Sequence, residues 1–274
     1  MRALWRLAVR GPWRLLRAVI HGLHGLAWVL LAFPRMDASN RQARIAWWSR
    51  KMFAVMGMRL EVQGEFRPGA KLIVANHISW LDIMAVHAVC PQARFVSKAD
   101  VQAWPLIGRL VGAAGTLYIV REKARDALRV VHKMADALAS GDTVAVFPEG
   151  TTGQGHELLP FHANLLQAAI ATELPVQPVA LRYADEQHAV SPAADYTGTI
   201  SLTRSLWMLA QAQGLRVQVQ VLPAQGVRHA DRRALASLVQ QQIRWALAGG
   251  GSGALEAPSG EAGGPEAVRP QALP

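Results

Sequence analysis

From Arg59 onward, short apolar runs alternate with longer stretches of helical periodicity, and this alternation constrains the fold more than any other feature. The runs LEVQG, KLIVAN, ARFVSK, TLYIV, TVAVFP, VQPVAL and VQVQVLP have the length and β-branched content of strands. Helical spacing between them predicts helices near 80–89, 123–140, 163–173 and 231–247. Such an order predicts an α/β domain over residues 59–248, with a mixed, largely parallel sheet flanked by helices. Ligand sites in folds of this kind lie at the carboxyl ends of the strands. Two of the runs end there in polar residues: KLIVA passes into NHISWLD, and TVAVF passes into PEGTTG.

Residues 1–58 have a different character. Six arginines (Arg2, Arg6, Arg10, Arg14, Arg17 and Arg35) and no acidic residue precede Asp37. Five of the nine tryptophans lie in the first 50 residues, and indole favours the membrane–water interface. The run AVIHGLHGLAWVLLAF, residues 18–33, carries no formal charge. It is short beside the roughly 20 apolar residues of a full span, so a span, a re-entrant segment and an interfacial helix are all compatible with it. FPRMDASN follows where a signal peptide would show small residues for cleavage. An N-terminal helical membrane anchor is therefore expected, its arginine-rich side cytoplasmic. A second helix, about 37–58, reads as lying on a membrane or packed on the domain. Residues 249–274, rich in Gly, Pro, Ala and Glu, read as a disordered tail.

A net charge of +10 favours an anionic partner. Because the basic residues concentrate beside the apolar run, an anionic membrane surface is expected rather than nucleic acid. The single cysteine, Cys90, excludes an internal disulfide and reads as a small buried hydrophobe. His21 and His24 have metal-compatible spacing but lack a third ligand, so no metal is expected.

His77 and Asp82, five apart, would not share a face of one continuous helix. They converge if His77 ends a strand and Ser79 caps a helix carrying Asp82 in its first turn. Asp82 then fixes the imidazole tautomer and leaves the other nitrogen as a base, which is the base-and-orienter half of a triad. Glu149 is an acid at a second strand mouth, and Gly150 permits close approach to the backbone. Arg121, after TLYIV, and Lys98, after ARFVS, are cations suited to a phosphate or carboxylate. Neither a Walker P-loop nor a GxSxG elbow occurs.

NHISWLD, GTLYIVR, FPEGT and LPVQPVAL, in that order across residues 71–181, resemble the four-block signature of the glycerolipid acyltransferases, and in particular the branch that acylates 1-acylglycerol-3-phosphate. The resemblance implies an enzyme of phospholipid biosynthesis on the cytoplasmic face of the inner membrane. It would move an acyl group from acyl-CoA or acyl carrier protein to the sn-2 hydroxyl of a membrane lipid acceptor, giving phosphatidic acid without a cofactor. Carried over to this chain, His77 and Asp82 are the catalytic pair of the HX4D motif. Gly115 and Arg121, together with Glu149, Gly150 and Thr151, contribute to acceptor binding. Lys98 is a further phosphate ligand, and Pro178 marks a block that is structural or lines the acyl site. One departure stands out: Thr152 occupies the place where the third block usually has arginine. Relatives that acylate lyso-ornithine lipid, an acceptor without phosphate, resemble the chain too.

Overall fold

The computed structural model describes residues 2–119 and 124–249; for residues 2–8, 98, 119 and 124–127 only the backbone is described. Seven strands form one sheet: β1 (Arg59–Gln63), β2 (Lys71–Ala75), β3 (Ala93–Lys98), β4 (Leu117–Ile119), β5 (Thr143–Val146), β6 (Val176–Ala184) and β7 (Arg216–Val221). Their spatial order is β1-β7-β6-β2-β5-β3-β4. All neighbours are parallel except β6 and β7. The sheet is thus mixed and largely parallel, as the alternation of runs predicts.

Strand pleating sends alternate residues to opposite faces, and the two faces pack two cores. Ile73, Ala75, Ala145, Leu181 and Tyr183 face α2 (Ala38–Met56), α3 (Leu81–Val89) and α7 (Leu202–Gln211). Leu72, Val74, Val144, Val146 and Ala180 face α5 (Ala124–Ala139), α6 (Gln167–Ala171) and α8 (Arg232–Leu247). All five residues of β2 are buried, as suits a central strand covered on both sides. Cys90 is buried, and burial pushes its thiol up to about 11.

The 1–58 segment does not stand apart from this domain. Met52, Phe53, Val55 and Met56 of α2 belong to the core of the first face, so α2 packs on the domain. Helix α1 (Arg2–Ala27) continues through a π-helical turn, Trp28–Ala32, and a 3-10 turn, Phe33–Arg35. The stretch Val9–Arg35 is long and apolar enough to cross a membrane by length and composition. One side of it is nevertheless covered by protein. Arg14, only 6% exposed, donates to the carbonyls of Ala210 (3.1 Å) and Ala212 (2.6 Å) at the end of α7, where a cation complements the helix dipole. His21 and Trp48 exchange side-chain-to-backbone hydrogen bonds of 2.9 and 3.0 Å. Trp13, Leu16, Val19, Ile20, Leu23 and Leu31 point away from the domain and are exposed.

Candidate active site

The site grows from the mouth of β2. Asn76, the residue after the strand, is buried. Its side chain accepts from Leu181 N (2.8 Å) and donates to Leu181 O (2.9 Å). It thereby takes over the ladder between β2 and β6 where the main chain leaves the sheet. His77 follows, held from both sides by the loop after β5: its N–H donates to Glu149 Oε1 (2.8 Å), and its carbonyl accepts from Gly153 N (2.8 Å). The imidazole lies flat on Phe147, with ring centroids 4.0 Å apart and planes 6° off parallel.

His77 and Asp82 converge as the sequence predicts. His77 Nδ1 lies 2.7 Å from Asp82 Oδ2, and the Asp82 side chain is wholly buried. The local device differs from the expected one. Ser79 does not cap α3: its hydroxyl is buried and finds no partner among the described residues. No side chain caps α3 at Trp80; the Asp82 carboxylate instead ties down the loop before the helix, its Oδ2 accepting from Ile78 N (2.7 Å) and Ser79 N (2.9 Å). An aspartate in the first turn of a helix is favoured there by the dipole. Its other oxygen, Oδ1, accepts from the Tyr183 hydroxyl at 2.6 Å.

An ionised carboxylate only accepts hydrogen bonds, so its bond to Nδ1 places the neutral ring's proton there and leaves Nε2 with a free lone pair. The His77 side chain is 20% exposed. Among the described residues, no Ser, Thr or Cys side chain hydrogen-bonds this imidazole. The arrangement is a base with its orienter, suited to taking a proton from a hydroxyl that arrives with a substrate.

Glu149 is 5% exposed and spends both oxygens on backbone amides, His77 N at 2.8 Å and Leu159 N at 2.9 Å. Burial raises its carboxyl above the ordinary value, against the pull of those two amides. Its visible part is to lock the loop after β5 onto the loop after β2. Gly150 has φ 73°, and a Cβ there would stand 3.2 Å from the His162 imidazole. Thr151 is exposed beside it. Thr152 donates its hydroxyl to Tyr196 O at 2.6 Å. Pro178 lies within β6 in register with Val74.

Gly115 lies away from this pair. It precedes β4, and its carbonyl accepts from Arg94 Nε at 2.9 Å, which places it at the amino ends of the parallel strands, opposite His77. Its φ of 78° explains the glycine by the turn from α4 (Ile107–Ala113) into β4. Lys98 closes β3 in register with Ile119, but its side chain lies outside the described residues, as does Arg121 altogether. His24 accepts from Trp28 Nε1 at 2.8 Å, and His21 is engaged with Trp48.

Three residues of the site were not singled out from the sequence: Phe147, His162 and Tyr183. Phe147 and Tyr183 read as ordinary apolar strand positions. The available signal was Tyr183's hydroxyl, since a buried phenol needs a partner.

The acyltransferase family's sequence profile matches residues 59–182, which run from β1 into β6. The chain is 38% identical over 251 residues to a lyso-ornithine lipid O-acyltransferase of Pseudomonas aeruginosa, covering 89% of this chain and 94% of the relative. It is 35% identical over 202 residues to a 1-acyl-sn-glycerol-3-phosphate acyltransferase of Neisseria meningitidis, covering 73% and 78%. The crystal structure of the 1-acyl-sn-glycerophosphate acyltransferase of Thermotoga maritima shares the fold, with a TM-score of 0.68, 17% identity, and coverage of 91% of this chain and 98% of that one. The chain belongs to the acyltransferase family that includes these lysolipid acyltransferases.

Proposed function

We propose that this protein is an O-acyltransferase that moves a fatty acyl group from acyl-CoA or acyl carrier protein to the hydroxyl of a lysolipid, at the cytoplasmic face of the inner membrane. The observation that carries the reading is the His77–Asp82 pair at the mouth of β2, with one imidazole nitrogen free and no protein nucleophile on it among the described residues. The acceptor hydroxyl gives its proton to His77 Nε2 as its oxygen attacks the thioester carbonyl. The tetrahedral intermediate collapses with loss of the thiolate, which takes the proton back from the imidazolium. Asp82 stabilises that imidazolium throughout. A positioned base of this kind contributes about 10²–10⁴-fold in rate.

Helix α1 supports the membrane part. One long side rests on α2 and α7, while the other presents an exposed apolar stripe. That division suits a helix lying along the membrane surface with the stripe in the acyl region.

The four sequence blocks taken together point to 1-acylglycerol-3-phosphate as acceptor and phosphatidic acid as product. One observation favours lyso-ornithine lipid over it. Thr152 stands where the third block usually carries an anion-binding arginine, and its hydroxyl is turned to Tyr196 O. Enzyme in vesicles, given radiolabelled acyl-CoA and each acceptor in turn, tests the choice. Faster acylation of lyso-ornithine lipid is expected, and Thr152→Arg should shift the preference about tenfold toward 1-acylglycerol-3-phosphate, the scale of one bidentate phosphate contact. Phosphatidic acid formed at the higher rate by the unmodified enzyme would overturn the lyso-ornithine reading.

A further inference from the structure

We propose that Tyr183 is a positioning residue for the transfer reaction, acting through Asp82: its hydroxyl holds Oδ1 so that Oδ2 alone addresses His77, and it moderates the pull of the carboxylate on the imidazole proton. This inference rests on the acyl-transfer reading above.

Asp82 is fully buried and accepts four hydrogen bonds. Three of the donors, His77 Nδ1, Ile78 N and Ser79 N, come from the residues just before it and share Oδ2. Among the described residues only Tyr183 reaches Oδ1, and it comes from β6, 101 residues along the chain. The 2.6 Å separation falls in the range of a charge-assisted O–H···O⁻ bond. Without this donor, Oδ1 would be a bare carboxylate oxygen in a dry core, which is a costly state. Rotation of the carboxylate would then let the two oxygens exchange places.

The placement of the phenol is itself fixed. Leu181, two residues earlier on β6, is bonded through both backbone groups to Asn76, which immediately precedes His77. The distance from β6 to the mouth of β2 is therefore set by the same residue that turns the chain into the site. Tyr183 is fully buried, and burial together with the charge of Asp82 raises its phenol well above the ordinary value, so it remains a donor. Packing alone does not call for a tyrosine. The position belongs to the apolar face of β6 that meets α3, where phenylalanine would fill the same volume. Glu149 is a second carboxylate close enough to act on this pair, and its oxygens accept from backbone amides, those of His77 and Leu159, rather than from the imidazole or the phenol.

The test uses the full-length enzyme in vesicles with two isosteric variants, Tyr183→Phe and Tyr183→3-fluorotyrosine, the latter a stronger donor. Tyr183→Phe should lower kcat about tenfold, the effect of one lost charge-assisted bond, with KM for both substrates unchanged. The second readout does not depend on turnover: the low-field proton resonance of His77 Nδ1–H, identified by its loss in His77→Ala. It should move downfield in Tyr183→Phe, where Asp82 accepts more strongly, and upfield with 3-fluorotyrosine. An unmoved resonance in both variants, or a kcat unchanged in Tyr183→Phe while only thermal stability drops, would overturn the inference. If the parent enzyme itself transfers no acyl group, the functional reading fails, and the resonance still decides whether Tyr183 acts on the pair.

Discussion

Two histidines at opposite ends of the α3 region meet opposite fates. His77 lies before the helix at the carboxyl mouth of β2, partly exposed, with Nδ1 committed to a buried carboxylate. His87 lies in the last turn, 5% exposed, edge-on to Phe95, with Nδ1 unpartnered among the described residues. Burial pushes its pKa down to about 4. The same contrast runs along the whole sheet. At the amino ends, Lys71 is satisfied by Gly69 O (2.7 Å) and Thr143 Oγ1 (3.2 Å), and Arg94 pairs with Asp142 and Gly115 O. Those polar groups close on one another. At the carboxyl mouth the network Tyr183–Asp82–His77 ends on a nitrogen with no partner among the described residues. The two ends differ in whether the last polar atom of the network is left available.

The sharpest way to break the contrast is His77→Ala, which should remove the base and cost about 10²–10⁴-fold in kcat. Asp82→Asn should cost a comparable factor, because an amide cannot hold the Nδ1–H tautomer as the carboxylate does. Both are read as initial rates of labelled acyl transfer, with donor KM as control.

The next effect belongs to His87 and concerns stability. Its folded pKa lies below the unfolded value of 6.5, so the unfolded chain takes up the proton first as pH falls. Above about pH 6.5 the group contributes no pH dependence; between there and pH 4 it should cost up to about 3 kcal/mol. Urea denaturation at pH 7 and pH 4.5 measures this, and His87→Phe should flatten the difference.

Asn76→Ala should lower stability by about 2 kcal/mol by leaving both Leu181 backbone groups unpaired, and should lower kcat as well because the mouth loosens. Arg94→Ala should have the smallest effect. Its ion pair is about one-third exposed, so a stability change of at most about 1 kcal/mol is expected, with activity unchanged. A large loss of activity from Arg94→Ala would erase the distinction between the two ends.

The His77–Asp82 pair was legible because two local signals coincide there: an apolar run long enough for a buried strand, and a carboxylate positioned for the first turn of the helix that follows. The seven strands were legible for the same reason, each being a short apolar run between turn residues. Helices α4 and α7 were not among the expected ones. Both are short, at 7 and 10 residues, too few turns for a clear period. Ser79 was misassigned because capping propensity is a local rule, whereas here Asp82 must serve the backbone and the imidazole together. Gly115 was carried over from a motif, and its side of the sheet depends on strand order, which sequence spacing does not report. Tyr183 and Leu181 reach the site from more than 100 residues away, and no local pattern marks such pairing.

The most direct test is the transfer of label from acyl-CoA to a lysolipid by purified enzyme in vesicles, comparing the parent chain with His77→Ala and resolving the diacyl product. A labelled diacyl lipid formed by the parent and reduced at least about 100-fold in the variant, with folding and donor binding intact, is the predicted result. A variant that keeps more than about one-tenth of the parental rate would contradict the assignment of His77 as the base.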